Sequence, residues 1–220
     1  MNDVERMLSD IEMEVALTRD LIGRDALNPR IMAAMKQVPR HEFISEILRY
    51  RAYDNGPLPI GLGQTISQPY IVALMSDLLN PRPDHVILEI GTGSGYQSSV
   101  LSQLVKQVYS LEIIPDLAEQ ADNRLKRLGY KNIAIRVDDG YFGWPEHAPY
   151  DGIIVTAAAP HVPEPLLEQL RPGARLVIPL GFPHSHQHLK VLEKKADGTI
   201  ETHNILGVSF VPLTGKHGAE

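Results

Sequence analysis

Two carboxylates and three glycines carry the first chemical signal in this 220-residue sequence. Glu89 is followed by Gly91, Gly93 and Gly95 in EIGTGSGYQ, and Glu112 stands near the end of the next apolar run, QVYSLEII. Glycines between a strand and a helix let a ligand approach the main chain without meeting a Cβ. The spacing is G-x-G-x-G, whereas dinucleotide sites use G-x-G-x-x-G with the third glycine packing helix on strand. A carboxylate at Glu112 can accept both hydroxyl protons of a ribose. It repels a phosphate tail but suits a cofactor with a positive sulfonium and no phosphates, which favours S-adenosylmethionine over NAD or ATP. Taken singly, the glycines read as a tight turn and Glu112 as a solvated strand end. Their order, acid then glycines then acid, is what argues for a cofactor site.

Asp138, Asp139 and Gly140 follow the third apolar strand, beside the expected adenosine pocket. Asp139 can accept from an exocyclic amine there, although Asp-Asp-Gly is equally a surface turn. GLGQTISQP, Gly61 to Pro69, holds two glycines, a proline, two hydroxyls and two amides, with only Leu62 and Ile66 apolar. It is too irregular for a helix and too glycine-rich for a comfortable strand, so a structured loop is predicted. His184, His186 and His188 alternate in HSHQH as metal ligands can, but Pro183 and Ser185 read as loop, and an exposed polar loop without metal is the expectation. His161 is expected in a loop near a substrate rim and Trp144 as a packing anchor.

The elements that must position these groups begin at the N-terminus. Val4, Met7, Leu8, Ile11, Val15 and Leu21 recur mostly every three or four residues and predict an amphipathic helix, with a second through IMAAMKQV that ends near Pro39. With Arg40 to Tyr53 they form a helical prelude, expected to cap one edge of a sheet. A helix follows Pro69 and stops at Asn80 and Pro81. Strands are then predicted at 85–90, 107–113, 133–137, 152–155 and 174–180, and helices at 96–104, 115–128 and 163–170. Alternating strands and helices, apolar on both strand faces, predict a doubly wound, mostly parallel α/β sheet. Asp197-Gly198 between two extended runs predicts a closing antiparallel hairpin.

The totals exclude several classes. A net charge of -6 disfavours nucleic acid as partner. The absence of cysteine removes disulfides, thiolate metal sites and cysteine nucleophiles. No signal peptide or membrane span is legible, so a soluble cytoplasmic protein is expected, without membrane contact and as a monomer. At 43% hydrophobic residues the length fits one domain over 1–220, with helices and active-site loop in 1–80 and the cofactor-binding sheet in 81–220.

From VPRHEFI (Val38 to Ile44) to VPLT (Val211 to Thr214) the sequence resembles the protein-L-isoaspartate O-methyltransferases. PLPIGLGQTISQP is the most specific motif, with LEIGTGSGYQ and YDGIIVTAAAPHVPEPLLEQLRPGARLVIPLG behind it in the same order. The resemblance implies a Rossmann-like methyltransferase fold, and a 61–69 segment that closes over S-adenosylmethionine and helps form the peptide site. It implies Ser67 as the catalytic residue and cofactor contacts from Gln64, Thr65, Ile66, Glu89, Gly91, Glu112, Asp139 and Thr214, beside Gly93 and Gly95 of the glycine loop. Asp138 stands where the family usually has glycine. GKHGAE follows Thr214, so contacts from a longer tail are not expected.

The implied substrate is the α-carboxylate of an isoaspartyl residue in a protein or peptide. Its reference pKa of about 3.5 leaves it ionised at neutral pH, so no general base is required. Alignment and exclusion of water then carry catalysis, and the methyl ester collapses to succinimide without the enzyme. Two rivals are a base methyltransferase, whose Asn/Asp-Pro-Pro-aromatic motif is replaced here by VTAAAP, and a non-catalytic nucleotide-binding module.

Overall fold

The computed structural model describes residues 2–182 and 185–216. Helix α1 (Asp3–Ile22) starts on a capping box between Asn2 and Glu5 and ends on left-handed Gly23. Helix α2 (Pro29–Gln37) is capped by the Asn28 side chain and opens with proline. Two 3-10 turns, Arg40–Phe43 and Glu46–Arg51, lead to β1 (Leu58–Gly61), β2 (Gln64–Ile66) and helix α3 (Pro69–Leu78). Next come β3 (Val86–Ile90), α4 (Tyr96–Ser102), β4 (Gln107–Glu112), α5 (Pro115–Arg127) and β5 (Ile133–Val137). The chain closes with β6 (Tyr150–Val155), α6 (Glu164–Glu168), β7 (Leu170–Leu180), β8 (Gln187–Lys194) and β9 (Ile200–Val208).

Seven strands form one sheet in the order β5-β4-β3-β6-β7-β8-β9. Pairing is parallel from β5 to β7 and antiparallel across β7, β8 and β9, as the alternation and Asp197-Gly198 predict. Successive side chains along the central strands alternate between two cores. Ile87, Ile154 and Val177 face the core under α1 to α4, while Leu88, Ile153, Val155 and Leu176 face the one holding Trp144, Tyr150 and Leu166. Both faces are therefore covered, and the central strands read as continuous apolar runs. Trp144 is a packing residue, edge-on to Tyr109 with the Arg136 guanidinium 4.4 Å from its ring centre.

Three expectations change. GLGQTISQP is not a loop. β1 and β2 pair antiparallel, Leu58 opposite Ile66, around a Leu62-Gly63 turn. The glycines that argued against a strand make the reversal, since Gly61, Leu62 and Gly63 all have positive φ. The helical prelude is an edge cap only in part. It packs on α3 and α4 over one face, with α1 also reaching β9. The helix predicted over 163–170 is shorter and β7 longer, because Leu170 already pairs with Tyr150 before Arg171, Pro172 and Gly173 bulge outward and Arg175 resumes opposite Gly152. Among the described residues no helix is long and apolar enough to cross a membrane.

Candidate active site

The chain winds one way from β3 to β5 and the other way from β6 to β7, so a crevice opens at the carboxyl ends of β3, β4 and β6. Eight of the eleven predicted residues meet there. One cleft is lined by Gln64, Thr65, Ile66 and Ser67 of the hairpin and its exit, Gly91 and Gly93 of the glycine loop, Glu112, and Thr214. Gly91 and Gly93 have φ of 93° and 53°. A Cβ on Gly91 would lie 2.4 Å from Thr156 Oγ1, and one on Gly93 would touch Ile60 of the hairpin at 3.4 Å. Glycine is thus favoured by backbone and neighbour together at Gly91, and by backbone alone at Gly93.

Glu112 is held by the N–H groups of Gly93 (2.8 Å) and Ile114 (3.1 Å). Each carboxylate oxygen accepts one bond and keeps capacity for another on the cleft side. An adenosine ribose supplies the matching pair of hydroxyls, so the donor set fits S-adenosylmethionine.

Three predicted residues sit elsewhere around the cleft. Gly95, at φ 88°, begins α4 and lies against Leu125 of α5, so it packs helices. Asp139 stands beside cleft-lining Gly140. Its oxygens accept the N–H groups of Tyr141 (3.0 Å) and Lys216 (2.8 Å), tying the C-terminal segment to the turn after β5. Glu89 is fully buried beneath the glycine loop, where the hydroxyls of Ser98 and Ser110 donate to Oε2 and Oε1 has no partner.

Burial pushes the Glu89 carboxyl up to about 7, against the hydrogen bonds from Ser110 and Ser98 and with help from the Glu112 charge. The folded protein therefore keeps a proton that the unfolded chain releases from about pH 4.5, and stability falls as pH rises to about 7, by about 3 kcal/mol in total. Glu89→Gln is expected to remove this contribution. In urea melts the variant should gain about 3 kcal/mol on the parent between pH 4.5 and pH 8, and an unchanged difference would show that Glu89 is ionised in the fold.

Asp138 has no positive φ, so its backbone is one any L-residue adopts. Its carboxylate pairs with Arg136 at 2.9 Å. His186 and His188 are exposed, the latter already in β8, and His184 lies outside the described residues. No cluster of three or more His, Asp or Glu is placed to hold a metal among the described residues. His161 is exposed, near Tyr141.

The profile of the protein-L-isoaspartate(D-aspartate) O-methyltransferases matches residues 13–218. The chain belongs to this family. It is 59% identical over 217 residues to protein-L-isoaspartate O-methyltransferase 2 of Nitrosococcus oceani, covering 99% of each chain. It is 56% identical to the Syntrophobacter fumaroxidans enzyme of the same name, over 96% of this chain and 86% of that one. A solved protein-L-isoaspartate O-methyltransferase superposes with a TM-score of 0.83 at 28% identity, over 97% of this chain and 67% of the other. A Plasmodium falciparum beta-aspartate methyltransferase in complex with S-adenosyl-L-homocysteine gives 0.76 at 26% identity, over 97% and 99%.

Two features of this isoaspartate methyltransferase were not legible in its sequence. Thr156, just after β6, donates to the carbonyls of Ile90 (3.0 Å) and Gly91 (2.6 Å) and fixes the glycine loop from the neighbouring strand. The pairing of β6 with β3 was the signal that would have found it. Ala158 bonds Val211 and Leu213, which carries Thr214 to the cleft from far along the chain.

Proposed function

We propose that this chain transfers a methyl group from S-adenosylmethionine to the α-carboxylate of L-isoaspartyl residues in damaged proteins and peptides, with Ser67 at the reacting centre. The observation that carries the assignment of Ser67 is its place at a junction. It lines the cofactor cleft and also a second groove formed by Pro57, Gln68, Ile71, Gln187, Phe210 and Val211. A peptide in that groove can bring its carboxylate to Ser67.

In this reading Gln64, Thr65, Ile66, Gly91, Gly93, Glu112 and Thr214 hold the cofactor, while Glu89, Gly95 and Asp139 support them from outside the cleft lining. When bound, S-adenosylmethionine supplies an electrophilic methyl on a cationic sulfonium. The Ser67 hydroxyl orients the ionised acceptor, and the β1–β2 hairpin keeps water from the developing bond. Opposite charges neutralise as that bond forms, so a wet site would favour the separated reactants. We further infer one methyltransferase domain over 1–220, working as a cytoplasmic monomer on peptides rather than nucleic acid, in keeping with its charge of -6.

The test uses two peptides that differ only in an isoaspartyl or normal aspartyl linkage, each incubated with methyl-labelled S-adenosylmethionine. Base-labile label on the isoaspartyl peptide alone is the expected result. Label on neither peptide, with cofactor binding intact, would sink this reading.

A further inference from the structure

Arg40 is the largest side chain in the described protein with no exposed surface. The titratable groups that act on it are Tyr96 and Tyr53, and it forms no ion pair among the described residues. Its contacts are main-chain carbonyls. Nε donates to Ala52 O at 2.8 Å, and Nη2 to Ser67 O at 2.7 Å and to Gly56 O at 3.4 Å. The guanidinium carbon lies 4.8 Å from the Tyr96 ring centre. Nη1 and the Tyr96 hydroxyl have no partner of hydrogen-bond geometry, yet the cation is near enough to oppose the rise that burial imposes on the phenol.

A buried charge without a counter-ion is expensive, and buried cations are as a rule paired. A neutral amide side chain can donate to carbonyls without taking a full charge out of water. It has two N–H donors, however, and three carbonyls accept here, so anchoring accounts for the fork of the guanidinium but not for a charge left without an anion. Position does: Ser67 and Tyr96, which Arg40 touches, both line the cofactor cleft. The charge lies one peptide group behind the wall to which the acceptor must come.

We propose that Arg40 is a positioning residue whose unpaired charge selects an ionised acceptor, acting through the Ser67 main chain, so that the substrate carboxylate brings the anion the fold leaves out. The inference rests on the isoaspartyl reading above and deepens it. Arg40 attracts the carboxylate before reaction and loses that attraction once the oxygen is esterified. It thereby strengthens substrate binding and hastens exchange of the ester, and its influence falls on KM more than on kcat.

The test measures binding of two isoaspartyl peptides, one with the free α-carboxylate and one with an α-carboxamide, to protein saturated with S-adenosylhomocysteine. The parent is expected to prefer the carboxylate about tenfold or more, as a charge-assisted contact does. Arg40→Gln should bring the preference close to unity while S-adenosylhomocysteine affinity stays within about threefold. A merely structural role would weaken both peptides alike, so a preference retained in Arg40→Gln overturns the proposal. If that variant does not fold, Arg40→Lys decides. A buried lysine has a lowered pKa, so its preference should decline between about pH 7 and 9.5, where arginine stays charged. Tyr96, pushed up to about 12, and Tyr53, also raised by burial, stay neutral across that range. A lysine profile as flat as the parent's then overturns the proposal. A parent that binds both peptides equally does so too, and a parent that binds neither overturns the isoaspartyl reading itself.

Discussion

Gly91→Ala is expected to destabilise the protein by about 3 kcal/mol and to weaken S-adenosylhomocysteine binding at least tenfold, order-of-magnitude values for a strained backbone combined with a steric clash and the loss of a part-buried hydroxyl bond shared between two carbonyls. Two independent costs meet at this position. The φ of 93° is one that L side chains rarely adopt, and the new methyl would arrive 2.4 Å from Thr156 Oγ1. Thr156 cannot retreat without giving up its bonds to the Ile90 and Gly91 carbonyls. For a chain of this size the loss corresponds to a fall of roughly 6–12 °C in Tm. Gly129→Ala is the control, because Gly129 has a similar φ of 82° and nothing within 4 Å of the added carbon. Its cost should be near 1 kcal/mol, the backbone penalty alone. Equal losses in the two variants would remove Thr156 from the account.

The second large effect is expected at Ser67. Ser67→Ala should lower turnover about 10- to 100-fold, the range that a modest misalignment of reacting atoms costs. S-adenosylhomocysteine affinity should change less than about threefold, since Ser67 is one of many residues lining the cleft. Fold should persist, because the Ser67 contact to Arg40 is made by the carbonyl, which alanine keeps. Single-turnover rates with isoaspartyl peptide, set beside cofactor titrations, separate the two quantities. Unchanged turnover would exclude Ser67 from the reaction and shift attention to the loop amides beside it.

The sheet was legible because its physics is local. Strands buried on both faces read as apolar runs, as GIIV does and as VILEI does apart from Glu89, and the helices between them carry their own proline and glycine punctuation. The cleft proposed for the cofactor was legible for a related reason, since acid, glycine loop and acid mark successive strand ends. The hairpin escaped because a leucine, Leu62, takes a positive φ where the pattern offers no such signal. Arg40 escaped more completely. In PRHEF it reads as one more surface charge, and only the closing of Ala52, Gly56, Ser67 and Tyr96 around it makes it interior. Glu89 divided the same way, its place beside the loop visible from spacing and its burial under Ser98 and Ser110 not.

The pairing of Ala158 with Val211 and Leu213 bears on how the molecule is made. A ribosome releases residues in order, and the parallel strands β3 to β7 can begin to assemble while the segment carrying Thr214 is still in the exit tunnel. One wall of the cleft is therefore supplied after every strand of the sheet has been synthesised. A nascent chain holds the glycine loop and both acids before it holds the whole cleft, so the cleft is completed late in the synthesis of each copy.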